Sequence, residues 1–152
     1  MPGYKGHLVG GCVAYIVLIS IVYIQCPSYM IAGRWLVCAL AGSLFPDIDV
    51  KSKGQNYFYW LILCLTIILL FMQQLRRLAV LSIVSILPML VRHRGIFHRW
   101  WFIVAIAMGT WGVLCVYAPV YGKSLWLDML FFIAGAFSHL WLDVGLRRMF
   151  KW

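Results

Sequence analysis

The sequence predicts an all-α protein: a polytopic transmembrane helical bundle of about six short helices, with a metal centre at one membrane face. Three observations carry this prediction. The 152 residues are 64% hydrophobic and only 11% charged, outside the usual range for a water-soluble domain. Apolar runs recur from about residue 8 onward, separated by short polar breaks, which fits several spans better than one water-surrounded core. The chain has four histidines, four aspartates and no glutamate, and seven of those eight residues fall in four short clusters.

A span needs about 20 apolar residues to cross roughly 30 Å of hydrocarbon. On that measure helices are predicted near residues 7–24, 29–45, 56–75, 78–92, 100–121 and 125–143. No small-residue cleavage site follows the first run, so it reads as a retained span and not as a secretory signal. Pro46 ends the second run, since proline cannot continue a helix. Tyr57, Trp60, Trp100, Trp101, Tyr121, Trp126 and Trp141 stand near run edges, where amphipathic rings prefer the interface. The run at 78–91 is short and contains Pro88, so it also fits a re-entrant segment. A full crossing is preferred, because it alone brings the polar clusters to one face. Residues 1–152 then form a single transmembrane metal-binding domain, with no room for a second, soluble one.

A net charge of +9 would point to nucleic acid in a soluble protein. Here Lys and Arg fall mainly in the breaks between apolar runs, so membrane orientation and anionic head groups explain them, and no nucleic-acid partner is expected. In the six-span arrangement Lys5, Lys51, Lys53, Arg92, Arg94, Arg99, Arg147, Arg148 and Lys151 share one face. Arg76, Arg77 and Lys123 take the other, with Arg34 snorkelling toward it. The positive-inside rule makes the richer face cytoplasmic. Cys12, Cys26, Cys38, Cys64 and Cys115 show no CxxC pairing and read as small core residues.

The four clusters are Gly6-His7, Pro46-Asp47-Ile48-Asp49, the loop from His93 to His98, and Ser138 to Asp143. His139 and Asp143 are four apart and project from one side of a helix. Asp47 and Asp49 follow a helix end, where two carboxylates can bend toward one site. His93 and His98 lie on a loop whose Gly95 can adopt conformations closed to other residues. Four imidazoles and three carboxylates suit one or two zinc-type divalent ions. Each cluster also has a plainer reading. His7 can be an interfacial polar residue, the two aspartates a helix-end loop paired with Lys51 or Lys53, and the histidine loop a lipid head-group contact. His139 and Asp143 can be a hydrogen-bonded pair between helices. None of those readings requires the clusters to converge. Asp128 stands apart, near the start of the sixth predicted helix, where it complements the helix dipole or pairs with Arg34 or Arg76.

These clusters, in this order, resemble the membrane-bound metal-dependent hydrolase family, also described as LexA-binding, inner-membrane-associated hydrolases. The resemblance covers most of the chain. In that family a histidine near the N-terminus, Pro-Asp-x-Asp, His-Arg-Gly-x-x-His and Ser-His-x-x-x-Asp recur. Here Phe97 and Arg99 stand where many members have small hydroxyl residues. The resemblance implies a distant likeness to zinc-dependent phospholipase C and hydrolysis of a phosphoester such as a phospholipid. His7, Asp47, Asp49, His93, His98, His139 and Asp143 would be metal ligands, with Asp49 also a candidate general base. Arg92, Arg94 and Arg99 would hold phosphate oxygens. The expected setting is the inner membrane with the metal site facing the cytoplasm, and with membrane lipid, a second copy or a protein as partner. The competing reading is a non-catalytic scaffold or regulator whose metal ties helix ends together. Haem binding and transport are disfavoured by the clustered aspartates and by the lack of ionisable residues across the bilayer centre.

Overall fold

A computed structural model describes residues 3–22, 28–49, 53–75, 78, 81–82, 85, 96–117 and 119–146, with the backbone alone for 49, 54 and 120–124. The described residues are helical, with no strand among them. The helices are α1 (Tyr4–Val22), α2 (Tyr29–Leu44), α3 (Lys53–Phe71), α4 (Trp100–Tyr117) and α5 (Pro119–Val144). Short 3-10 turns cover Phe45–Asp49 and Ile96–His98. Tyr4–Val22, Tyr29–Ile48, Trp100–Tyr117 and Leu125–Val144 are long and apolar enough to cross a bilayer, and Gln55–Phe71 is a shorter apolar run. At 1.5 Å per residue, nineteen residues of α1 reach about 28 Å. Large apolar side chains point outward along these helices, Ile21 being 72% and Val116 74% exposed. Lipid, not water, is the solvent that tolerates such a surface.

The expected fold class holds, while several boundaries move. The fifth and sixth predicted helices meet much more closely than expected, because α5 begins at Pro119 instead of near 125. Proline suits a first helical turn, where its missing N–H has no partner to lose. The predicted helix 78–92 lies largely outside the described residues. Ahead of it α3 closes at Phe71, earlier than the predicted 75, and Gln73 takes a left-handed φ of 53°. Gln74 N–H donates to Leu69 C=O and Gln73 N–H to Leu70 C=O, the paired bonds that close a helix end. The chain then doubles back, and the Tyr59 hydroxyl donates to the carbonyl of Ser85 at 3.3 Å. Residue 85 thus lies beside the second turn of α3.

Without a hydrophobic drive between helices in lipid, close packing must hold them, and small residues permit it. The central helix is α5, which packs against α1, α2 and α4, most extensively against α2. A Cβ on Gly42 would strike the backbone of Phe132, and one on Gly135 would strike the backbone of Ala39. These two glycines therefore set the α2–α5 approach. Trp35 stacks on Phe131 with ring centroids 5.0 Å apart, in a buried cluster with Ala39 and Leu127. A second cluster, Ile103, Ala136 and Leu140, joins α4 to α5. The cysteines depart from their expected core role: Cys12 and Cys64 are exposed, Cys38 and Cys115 half-buried, and Cys26 lies outside the described residues. A thiol on the outer face of a span costs nothing in lipid, so apolar sequence context does not imply burial by protein.

Candidate metal centre

Four chain segments deliver polar side chains to one end of the bundle. His7 sits in the first turn of α1. Gly11, one turn later, has no Cβ to strike Ser43 of α2, so α1 lies close enough for the His7 ring to stack on His139 at 3.7 Å between centroids. Asp47 lies in the 3-10 turn that continues α2 beyond Leu44. His98 ends the other 3-10 turn, just before α4. His139 and Asp143 stand on successive turns of α5, which Gly145 ends with φ 73° and its N–H donating to Trp141 C=O.

Asp47, His98, His139 and Asp143 each offer one ligand atom, and these four atoms lie within 4.8 Å of one another. His139 Nε2 is 3.5 Å from Asp47 Oδ1 and 3.5 Å from Asp143 Oδ2. His98 Nε2 is 3.8 Å from Asp47 Oδ1 and 3.9 Å from Asp143 Oδ2. His7 Nε2 approaches the other oxygen of Asp143, Oδ1, at 3.5 Å. These separations exceed those of good N–H···O hydrogen bonds. They are close to the edge, about 3.4 Å, of a tetrahedron with ligand atoms some 2.1 Å from a zinc ion.

The tautomer of His139 sharpens the point. Its Nδ1 is 2.7 Å from the carbonyl of Ser43, an acceptor only, so Nδ1 carries the proton. In the neutral ring Nε2 is then a lone pair, and it faces two carboxylate oxygens. His139 is fully buried, and neither its Nε2 nor Asp143 Oδ1 makes a hydrogen bond. Two carboxylate oxygens converging on a buried imidazole nitrogen form a donor set of the kind that holds a divalent ion. Imidazole held by a backbone carbonyl at its far nitrogen is also the usual support of a metal-binding histidine. The donor set fits a divalent ion. The cluster is less closed on one side, where the Asp47 and His98 side chains keep 21% and 13% exposure.

Of the residues singled out from sequence, the structure thus brings together His7, Asp47, His98, His139 and Asp143. Arg92, His93 and Arg94 lie outside the described residues, as does the side chain of Asp49. Arg99 is exposed beside His98, and its carbonyl accepts from Phe102 N–H at the start of α4. Phe97, which replaces a small hydroxyl residue, is buried and meets Phe45 and Phe102 edge-on at 5.5 and 5.3 Å. It anchors the His98 turn to the core. Ser43 and Gly11 were not visible as site residues in the sequence. A glycine and a serine in an apolar run carry no signal until the partner helix is known.

Asp128 is not at a helix start. It is the tenth residue of α5, beyond the reach of dipole complementation in the first turn. Of the two partners expected for it, Arg34 meets it, Nε to Oδ1 at 2.8 Å, and Arg76 lies outside the described residues.

No curated protein and no solved structure matches the chain. The model of the YdjM inner membrane protein family matches residues 1–150. That match carries the inner-membrane assignment; it does not carry metal-dependent hydrolysis or a likeness to phospholipase C. With nearly every residue matched and four apolar helices of spanning length, the chain is an integral membrane protein and belongs to the YdjM inner membrane protein family.

Proposed function

We propose that this protein is a membrane-embedded, metal-dependent hydrolase acting on a phosphoester of a membrane lipid at the cytoplasmic face. The observation that carries the reading is the buried lone pair of His139 Nε2 aimed between Asp47 and Asp143. In this reading Asp47, His98, His139 and Asp143 hold one divalent ion of the zinc type, with His7 beside them and Asp49 and His93 as further ligand candidates. A zinc-type ion in such a site supplies Lewis acidity toward a phosphoryl oxygen and lowers the pKa of water toward neutrality.

The chain supplies the rest. Ser43 C=O and the stacked His7 ring fix the plane of His139. His7 Nε2, against Asp143 Oδ1, accepts the proton that the attacking water loses and returns it to the departing alcohol oxygen as the P–O bond breaks. Arg99, with Arg92 and Arg94, meets the phosphoryl oxygens and offsets their charge. The partly exposed edge at Asp47 and His98 admits the phosphate. Purified protein loaded with zinc is expected to cleave labelled phospholipid in vesicles, and His139→Ala is expected to lose at least about 100-fold of that rate. Equal, background-level cleavage by both proteins would sink the hydrolase reading.

A second reading rests on the same four donors. Four protein ligands complete a closed structural site, so the ion would tie α2, α4 and α5 together in a scaffold or regulator. Removing zinc would then lower the unfolding temperature without abolishing any turnover.

A further inference from the structure

The outward face between α1 and α5 is concave and almost wholly apolar, a groove of about 580 Å³. Its floor is made by small residues, Gly6, Gly10 and Ala14 at four-residue spacing on α1, opposite Ala134 and Ser138 on α5. Gly10 keeps the contact close: a Cβ there would sit 2.7 Å from Leu142 Cδ1, which would have to swing aside, and 3.3 Å from the Ser138 hydroxyl. Small residues at this spacing usually let helices touch. Here α1 and α5 do touch, and the groove is the valley left along the outer side of that contact.

Two features fix what lies in it. The first is continuity with the polar cluster. Gly6 and Leu142 line the groove, and the next residues along each helix, His7 and Asp143, are the pair whose Nε2 and Oδ1 meet at 3.5 Å. The groove therefore runs up to the outer edge of the cluster. The second is charge. Lys5, exposed on the first turn of α1, adjoins Gly6 of the groove. A basic residue at the interface end of an apolar groove attracts an anionic head group, while the apolar walls accept a hydrocarbon chain.

We infer that the α1–α5 groove holds one acyl chain of an anionic membrane lipid, presenting the head group at the helix ends that carry His7 and Asp143. This deepens the proposed function, and rests on it, by naming the substrate class as an anionic glycerolipid instead of any phosphoester. A bilayer lipid bound this way needs no extraction into water, and the groove sets which end of the molecule faces the cluster.

The test uses the full chain in phosphatidylcholine vesicles containing a small fraction of phosphatidylglycerol with a photoreactive diazirine on one acyl chain. Label is expected to concentrate on residues 9–18 and 134–146. It should fall several-fold in Ala14→Phe, which fills the floor, and in Val17→Trp, which narrows the wall. It should stay unchanged in Val116→Phe, an outward position on α4 away from the groove. The zwitterionic diazirine lipid should label the same segments more weakly. Labelling spread over all outward faces, or indifferent to both groove variants while zinc content and helicity are intact, would overturn the inference. So would a protein–protein adduct through the groove in place of lipid. Labelling is read without turnover: a groove that labels as expected in a protein that cleaves no ester retains the lipid site and removes the hydrolase reading. Cleavage with random labelling does the reverse.

Discussion

Two levels of α5, one in its middle and one near its C-terminal end, treat buried carboxylates in opposite ways. Asp128 and Asp143 are fifteen residues apart, about 22 Å along the helix axis. Asp128, with 1% exposure, receives a guanidinium from its own chain at 2.8 Å. Near the C-terminal end of the helix Asp143, with Asp47 beside it, faces imidazole nitrogens at 3.5 to 3.9 Å. A buried carboxylate needs a compensating charge. Where the chain provides a guanidinium, the pair reads as a clamp between α2 and α5; where imidazoles and carboxylates converge instead, the donors are of the kind a divalent ion takes.

The comparison can be broken outright at the contact both levels share. Gly135→Leu would drive a side chain into the backbone of α2 at Ala39 and Ser43. A cost of at least about 4 kcal/mol is expected, beyond ordinary core substitutions. Both the clamp and the cluster should be lost together, seen as loss of zinc retention and of a cooperative thermal transition. Acidification separates the two levels. Protons compete with metal for imidazole, whose ordinary pKa is about 6.5, and ligands must be deprotonated to bind. Zinc retention should therefore be full above that range and fall as pH drops through it, while the Arg34–Asp128 clamp has no imidazole to protonate. Measured zinc affinity that is flat from neutral to acid would deny histidine ligation. The smallest effect is expected for Asp128→Asn, which keeps volume but removes the charge facing a half-exposed Arg34. It should cost about 1–3 kcal/mol, read as a lowered unfolding midpoint, with zinc content unchanged.

The fold class was legible because hydropathy reports solvent directly, and the starts of α1, α2 and α4 lie within three residues of their predicted places. The start of α5 was not, because Gly122, Lys123 and Ser124, between the predicted helices 100–121 and 125–143, read as a polar break, whereas Pro119 opens a helix that runs through them. Among candidate site residues, His139 and Asp143 were legible from one-face helical spacing, and Asp47 from the proline that forces the turn after α2. His7 needed tertiary structure: its place depends on Gly11 letting α1 rest on Ser43. The carbonyl of Ser43 that sets the His139 tautomer has no sequence signature, since every residue has a carbonyl. Asp128 looked like a helix-start carboxylate only because the helix start was misplaced.

In the proposed function His139 Nε2 and its two facing carboxylates hold a metal ion. Elemental analysis of the purified, detergent-solubilised chain beside His139→Ala tests it most directly. About one zinc-type ion per folded chain is expected, with a near-zero ratio in the variant at unchanged helicity. A helical, monodisperse wild-type protein with no bound metal after purification in zinc-containing buffer would contradict it.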